Sequence, residues 1–236
     1  MKKKLAVALI AALTVSTMAV GCGSSKDSSS TDTKTESSKD SVSNGGDTFT
    51  VGFDAEYPPY GYMDDDGEYT GFDLELAQAV CDLEGWTLVK KPINWDSKDM
   101  ELNSGSIDCI WNGFTMNGRE DEYTFSTPYV DNSQVIVVAE NSGIEKLSDL
   151  AGKTVGVQAA SAALDLLNSE EEGGQKALAD TFGSLNEFAD YNTAFTELQT
   201  GALDALAIDI GVAKYQINSR GDGYKILDET LNTEQY

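Results

Sequence analysis

The 236-residue chain contains no histidine. That absence removes the side chain that most often serves as a general base near neutral pH and as a metal ligand. No metal-ligand cluster and no nucleophile beside a base stands out either, so the sequence assembles no catalytic chemistry. Bases are scarce: 16 Lys and Arg stand against 40 Asp and Glu, a formal charge of -24. Nucleic acid, whose phosphates need Lys and Arg, is argued against, as is a basic patch for a membrane surface. Cysteine is limited to Cys22, Cys81 and Cys109.

What is present begins with an address. Lys2, Lys3 and Lys4 precede the uncharged apolar run Leu5–Val20, which ends in Ala19-Val20-Gly21-Cys22. The run is short and gives way at once to polar sequence, so residues 1–22 read as a secretory signal, not a membrane span. Its small-small-Cys ending resembles a bacterial lipobox, which would make Cys22 a lipidated N-terminus that anchors without spanning. If the lipobox is not used, the product is simply secreted or periplasmic. Residues 23–47 are Ser, Thr, Asp, Lys, Glu, Gly and Asn with Val42 as the only aliphatic. Such a stretch cannot bury enough surface to offset its ordering entropy, and it reads as a disordered tether.

The remainder repeats itself. Thr50–Tyr57 (TVGFDAEY) matches Thr154–Ser161 (TVGVQAAS), and Leu102–Ile110 (LNSGSIDCI) matches Leu198–Leu206 (LQTGALDAL), in the same order. The expected class is therefore α/β with two lobes of one design, residues 48–129 and 130–236. Strands are expected at Thr48–Asp54, Thr87–Lys90, Ile107–Asn112, Gln134–Ala139, Thr154–Gln158, Ser184–Phe188 and Leu203–Ile208. Helices are expected over Asp73–Glu84, from Ser97, from Ser161, near Gln175–Thr181, over Thr193–Thr200 and from Asp209. Asp108 and Asp204 follow helix-closing glycines and read as turn or capping groups, not as an acid–base pair. Asp64-Asp-Asp-Gly-Glu68 reads as a hairpin turn, and Trp111 as a core residue. Cys81 and Cys109 are either buried thiols or one disulfide.

In open α/β sheets a ligand sits beyond the carboxyl ends of the strands. Those ends carry Asp54, Tyr57, Asn112, Gly113 and Thr115 in the first half, and Ser161 and Asp209 in the second. With Arg119 opposite Asp209, the arrangement suits a zwitterion: guanidinium on carboxylate, carboxylate on ammonium. The bland alternatives are an N-cap for Asp209, a solvated charge for Arg119, and lobe packing for Tyr57 and Tyr60.

The motifs Asp54-Ala-Glu-Tyr-Pro-Pro-Tyr60, Gly71-Phe-Asp-Leu-Glu-Leu-Ala77, Gly105-Ser-Ile-Asp108, Phe125-Ser-Thr-Pro-Tyr129 and Leu150-Ala-Gly-Lys-Thr-Val-Gly-Val157 resemble those of a known family. It is that of the bacterial extracellular solute-binding proteins of amino-acid ABC transporters (family 3, type II periplasmic-binding-protein-like). The resemblance implies two Rossmann-like lobes with mixed, mostly parallel sheets, hinged by crossover strands. It implies a monomer that binds a free amino acid, without a cofactor, and hands it to a membrane permease. Residue by residue, it places the ligand carboxylate on Arg119 and the Ser161 turn. The ammonium falls to Asp209 and the Gly113 carbonyl with Thr115 bridging, Tyr57 packs on the side chain, and Asp54 reads its far end. Asp54 and Glu56 suggest a glutamine-like or basic ligand. The chain departs from the family pattern at Thr115-Met-Asn-Gly-Arg119, one residue short, at Ala160 in place of Gly, and at Trp111-Asn112. Relatives continue past Tyr236 into the first lobe, so that return and one hinge strand are expected to be missing. The competing classes on the same scaffold are a dehydratase-type enzyme and a surface receptor or adhesin.

Overall fold

The computed structural model describes residues 47–221 and 223–236. The signal segment 1–22, the lipobox Cys22 and tether residues 23–46 lie outside the described residues. The chain opens with β1 (Thr48–Phe53), then a small antiparallel sheet of β2 (Glu56–Tyr57), β3 (Gly61–Met63) and β4 (Tyr69–Thr70). Next come α1 (Phe72–Glu84), β5 (Thr87–Pro92), a 3-10 turn at Trp95–Ser97, α2 (Lys98–Asn103) and β6 (Cys109–Ile110). The long strand β7 (Asp131–Ala139) leads to β8 (Thr154–Gln158), α3 (Ala162–Asn168), α4 (Lys176–Ala179) and β9 (Ser184–Phe188). The chain finishes with α5 (Tyr191–Thr200), β10 (Ala205–Asp209), α6 (Ile210–Arg220), β11 (Tyr224–Ile226) and β12 (Asn232–Gln235).

Each half is built on one three-strand unit. In the first lobe β1 lies between β5 and β6, parallel to both. In the second, β8 lies between β9 and β10, again parallel to both. The sequence repeat has a physical cause in each. The Thr50 amide donates to Asp108 Oδ2 at 2.7 Å, and the Asp108 amide returns a bond to the Thr50 carbonyl at 2.8 Å. Thr154 and Asp204 make the same exchange at 2.8 and 2.9 Å. A Cβ on Gly52 would collide with Ile107, and one on Gly156 with Leu203. The glycine of each TVG motif thus makes room for the aliphatic residue that follows each helix-closing glycine. Asp108 and Asp204 are strand-capping groups, which accounts for both without catalysis.

The strands' sequence patterns follow their burial. β7 is a continuous apolar run because both its faces are covered. Val135 and Val137 join a cluster with Tyr191, Phe195 and Leu206, while Ile136 and Val138 join one with Leu150, Val155 and Leu167. β7 pairs antiparallel with β10, β11 and β12, so the second sheet is mixed. In α1, Leu74, Ala77 and Cys81 form the buried face, and Gly85 at φ 73° ends the helix by donating to the Cys81 carbonyl. Leu74 and Ala77 pack on Val51 and Phe53.

Two expectations change, at the third strand of the first lobe and at the chain end; the hairpin turn holds, and the cysteine alternatives resolve. The strand expected over Ile107–Asn112 is ladder-paired only at Cys109–Ile110, and Trp111 is half-buried against the first-lobe cluster. Asp64-Asp-Asp-Gly-Glu68 does turn a hairpin between β3 and β4, with Asp64 Oδ1 accepting from the amides of Asp66 and Glu68. The antiparallel sheet around that turn carries too few residues per strand for a sequence period to reveal. Cys81 and Cys109 are free thiols, and burial pushes the Cys109 thiol up to about 12. The chain end, expected to leave a hinge strand missing, instead sets β12 beside the start of β7. Backbone bonds between Tyr236 and both Tyr129 and Val130 hold it there.

Candidate functional site

The carboxyl ends of the central strands meet at one cleft. Six of the expected residues line it: Tyr57, Gly113, Thr115, Arg119, Ser161 and Asp209. Trp95, Phe114, Gln158 and Ala162 complete the wall. The space at its centre is about 10 Å³, room for roughly one water. The two halves close tightly around that point.

One end of the cleft is acidic. Asp209 ends β10 and makes no side-chain cap to α6, so its carboxylate is free to face inward. Its Oδ1 accepts from Asn132 Nδ2 (2.7 Å), Gln134 Nε2 (2.6 Å) and the Tyr236 hydroxyl (2.5 Å). Oδ2 accepts from the Tyr191 hydroxyl at 3.2 Å. Glu234, on β12, shares the same two amides at 2.8 and 2.7 Å and accepts from Thr115 Oγ1 at 2.7 Å. Asp209 is 4 % and Glu234 5 % exposed. Burial, and then the Asp209 charge, push the Glu234 carboxyl up. Among the described residues neither acid has a cation within 4 Å. The amide oxygens of Asn132 and Gln134 are buried without a partner because both NH₂ groups are turned to the acids. Two buried carboxylates without a counter-ion are costly until a positive group arrives.

The other end is basic. Arg119 lies 4.9 Å from the Phe114 ring centroid, bonds Asp165 Oδ2 at 2.7 Å and reaches the Thr115 carbonyl at 3.4 Å. Its side chain is 13 % exposed where that of Asp165 is 66 %, so the pair is a half-solvated one that a better-placed carboxylate can replace. Lys98 lies nearby and donates to the Ala160 carbonyl. Ala160 has φ 54°, a left-handed turn that aims the chain into Ser161. Ser161 caps α3 by accepting from the Leu164 amide and donates to the Gln158 carbonyl. An adjoining cavity of about 350 Å³ shares Thr115, Arg119 and Ala162 and adds Asp165, Glu171, Glu172 and Glu234.

Three expected residues stand behind the wall. Asp54 Oδ2 accepts from Gln158 Nε2 across the cleft at 2.7 Å, and Oδ1 from the Glu56 amide at 2.8 Å. Asn112 does not face the cleft, because its Oδ1 accepts from the Asp54 amide at 2.8 Å and so props that residue. Tyr60 packs edge-on to Tyr236 and over Gly211, where a Cβ would collide with its ring. Tyr57 meets the Tyr236 hydroxyl at 3.0 Å. Sequence reasoning missed Trp95, Lys98, Asn132, Gln134, Tyr191, Glu234 and Tyr236. The alternation Asn132-Ser-Gln134 ahead of an apolar run was a usable signal, since alternate residues share one face of a strand.

Burial raises the Asp54 carboxyl to about 6 against its hydrogen bonds, and raises Asp73 to about 7. Asp73 accepts from Tyr129 on one oxygen only. Both acids hold their protons in the folded chain at a pH where the unfolded chain has released them. Their contribution to stability is full below about 3.8 and lost as pH rises through about 6 to 7. Ligand-free protein should therefore lose melting temperature from pH 5 to pH 7.5, an effect Asp73→Asn should reduce. Calorimetric melts across that range check it.

The family model for bacterial extracellular solute-binding proteins, family 3, matches residues 49–216. The arginine-binding extracellular protein ArtP of Bacillus subtilis (strain 168) is 32% identical over 232 residues, covering 97% of this chain and 82% of that protein. The L-cystine-binding protein TcyJ of Escherichia coli (strain K12) is 30% identical over 191 residues, 80% of this chain and 68% of that one. Among solved structures, an ABC uptake transporter substrate binding protein from Streptococcus pneumoniae with bound histidine superposes with a TM-score of 0.75. It is 35% identical, covering 80% of this chain and 77% of that one. With its twin three-strand units, crossover strands and interlobe cleft, the chain belongs to the bacterial extracellular solute-binding proteins, family 3.

Proposed function

We propose that the chain captures a single amino acid between its lobes and delivers it to the permease of an ABC importer. The observation that carries this is the unbalanced charge at the two ends of one cleft. Among the described residues Asp209 and Glu234 have no cation within 4 Å at one end, and Arg119 has only the exposed Asp165 as an ion-pair partner at the other. A zwitterion satisfies both. Its carboxylate takes Arg119 and the Ser161 turn, and its ammonium takes Asp209, with Thr115 and Gly113 beside it. Tyr57 and Trp95 enclose the side chain. Asp54, whose proton is loosely held near neutrality, reads the distal group, together with Gln158.

A basic side chain suits this cleft better than a neutral one, because the buried acids Asp209 and Glu234 have no cation within 4 Å among the described residues and Asp54 stands just behind the wall. A relative named for arginine and a neighbour solved with histidine bound support that preference, whereas TcyJ is named for the neutral L-cystine. No step of chemistry is assigned: the protein acts by binding and closing. Lipidation at Cys22 and a tether over residues 23–47 would hold it as a monomer at the extracellular face of the cell membrane, within reach of the permease. Among the described residues no helix is long and apolar enough to cross a membrane.

Titration calorimetry of the protein against a panel of amino acids tests the reading, with arginine and histidine expected to bind and glutamate to fail. A ligand at 100 times its Kd adds about 2.7 kcal/mol to stability, so a thermal-shift screen reads the same result. A panel without any response would sink amino-acid binding.

A further inference from the structure

We propose that Lys98 is a ligand-recognising residue, a second cation that joins Arg119 in gripping the carboxylate of the bound amino acid. The inference rests on the amino-acid reading above and deepens it.

Lys98 opens α2 in the first lobe and is 6 % exposed. Its ammonium has three donors, yet among the described residues its one hydrogen bond is to the Ala160 carbonyl of the second lobe, at 3.2 Å. Its other neighbour is the Trp95 ring, 5.2 Å from Nζ to the centroid, and Trp95 lines the cleft. Among the described residues no carboxylate stands within 4 Å of it. Of the acids nearby, Asp99 accepts from the Tyr123 hydroxyl, Asp165 is held by Arg119, and Asp96 is solvent-exposed. A buried ammonium without a counter-ion is as costly as a buried carboxylate without one. Burial accordingly pulls its pKa down.

The position of this unpaired charge gives it a role. Ala160 sits in the left-handed turn that presents Ser161 and Ala162 to the cleft. Arg119 and Asp165 are near enough to bias the Lys98 proton. Held against the Ala160 carbonyl and the Trp95 ring, the ammonium stands just behind the wall, beside the corner where a ligand carboxylate would meet Arg119 and Ser161. There the anion supplies the missing counter-ion and fills the unused donors. A latch between the lobes is the competing role for the Ala160 contact, and it makes a different prediction. Loosening a latch weakens every ligand alike, whereas losing a carboxylate grip weakens only ligands that carry the carboxylate.

Titration calorimetry of the wild-type chain, Lys98→Met and Lys98→Arg with L-arginine and L-argininamide separates the two. Lys98→Met is expected to weaken L-arginine roughly tenfold and to leave L-argininamide within about twofold, while Lys98→Arg keeps most of the L-arginine affinity. L-Histidine and its amide serve as a second pair. Should Lys98→Met melt too early to titrate, Lys98→Gln carries the same comparison. Unchanged affinity for the acid, or equal losses for acid and amide, overturns the role of Lys98 and leaves amino-acid binding standing. Failure of the wild-type chain to bind any amino acid overturns both.

Discussion

Asp209→Ala is expected to weaken amino-acid binding by at least a hundredfold, the largest functional effect of any single change in this chain. Truncating one partner of a desolvated charge pair costs about 2–5 kcal/mol, and about 2.7 kcal/mol is a hundredfold. Asp209 is the acid on which four donors converge, from Asn132, Gln134, Tyr191 and Tyr236. Those donors fix its carboxylate in place before the ligand arrives, so little ordering remains to be done on binding. The fold should tolerate the change, since Asn132 and Gln134 keep their bonds to Glu234. Calorimetry with L-arginine, beside a thermal melt of each protein, is the measurement. A variant that still binds within threefold of wild type would place the ammonium elsewhere.

That site was legible only in part. Arg119 and Asp209 could be paired from sequence because each follows an apolar strand, and the repeated halves put those strand ends face to face. The repeat was readable because the Thr–Asp exchange and the Gly–aliphatic contact recur in both lobes. Glu234 and Tyr236 were not readable. They act through β12, a four-residue strand whose only distinguishing mark is its partner 100 residues away. Asn112 was misplaced because a strand end identifies which residues are near the cleft, not which of them turns away to hold a neighbour's backbone. Lys98 was hidden for another reason: an amphipathic reading puts lysine in solvent, and only the packed lobes bury it.

Gly71→Ala should cost the fold at least about 3 kcal/mol, the largest stability loss from adding a single methyl group. Gly71 precedes α1 at φ 127°, ψ 164°, a region closed to side chains. A Cβ there would also overlap the carbonyl of Tyr60 and crowd the Gly61 amide. These are backbone atoms that cannot rotate aside. The same carbonyl accepts from the Asp73 amide at 3.1 Å, and the Phe72 amide donates to the Pro59 carbonyl at 2.9 Å. Relief of the overlap would therefore break the start of α1. Gly85→Ala is the matched control. It has φ 73° with nothing within 4 Å of the added atom, so only the left-handed penalty of about 1–2 kcal/mol applies. At roughly 2–4 °C per kcal/mol for a domain of this size, the two melting temperatures should separate clearly. Equal losses would show that Tyr60 yields and that the contact is not tight.

The pairing of β12 with the first residues of β7 fixes which part of the cleft can travel. In a lever, displacement grows with distance from the pivot. Asn132, Gln134 and Glu234 project from the two strands that form the pivot itself, and Asp209 is bonded directly to that pair of amides. If the lobes hinge on this strand pair, the acidic end would stay nearly stationary while Arg119 and the α3 turn, on the arms, would sweep the longer arc. An arriving amino acid would moor by its ammonium in open and closed forms alike. Its carboxylate would meet its partners only when the arms swing shut, which makes one end of the ligand an anchor and the other a trigger.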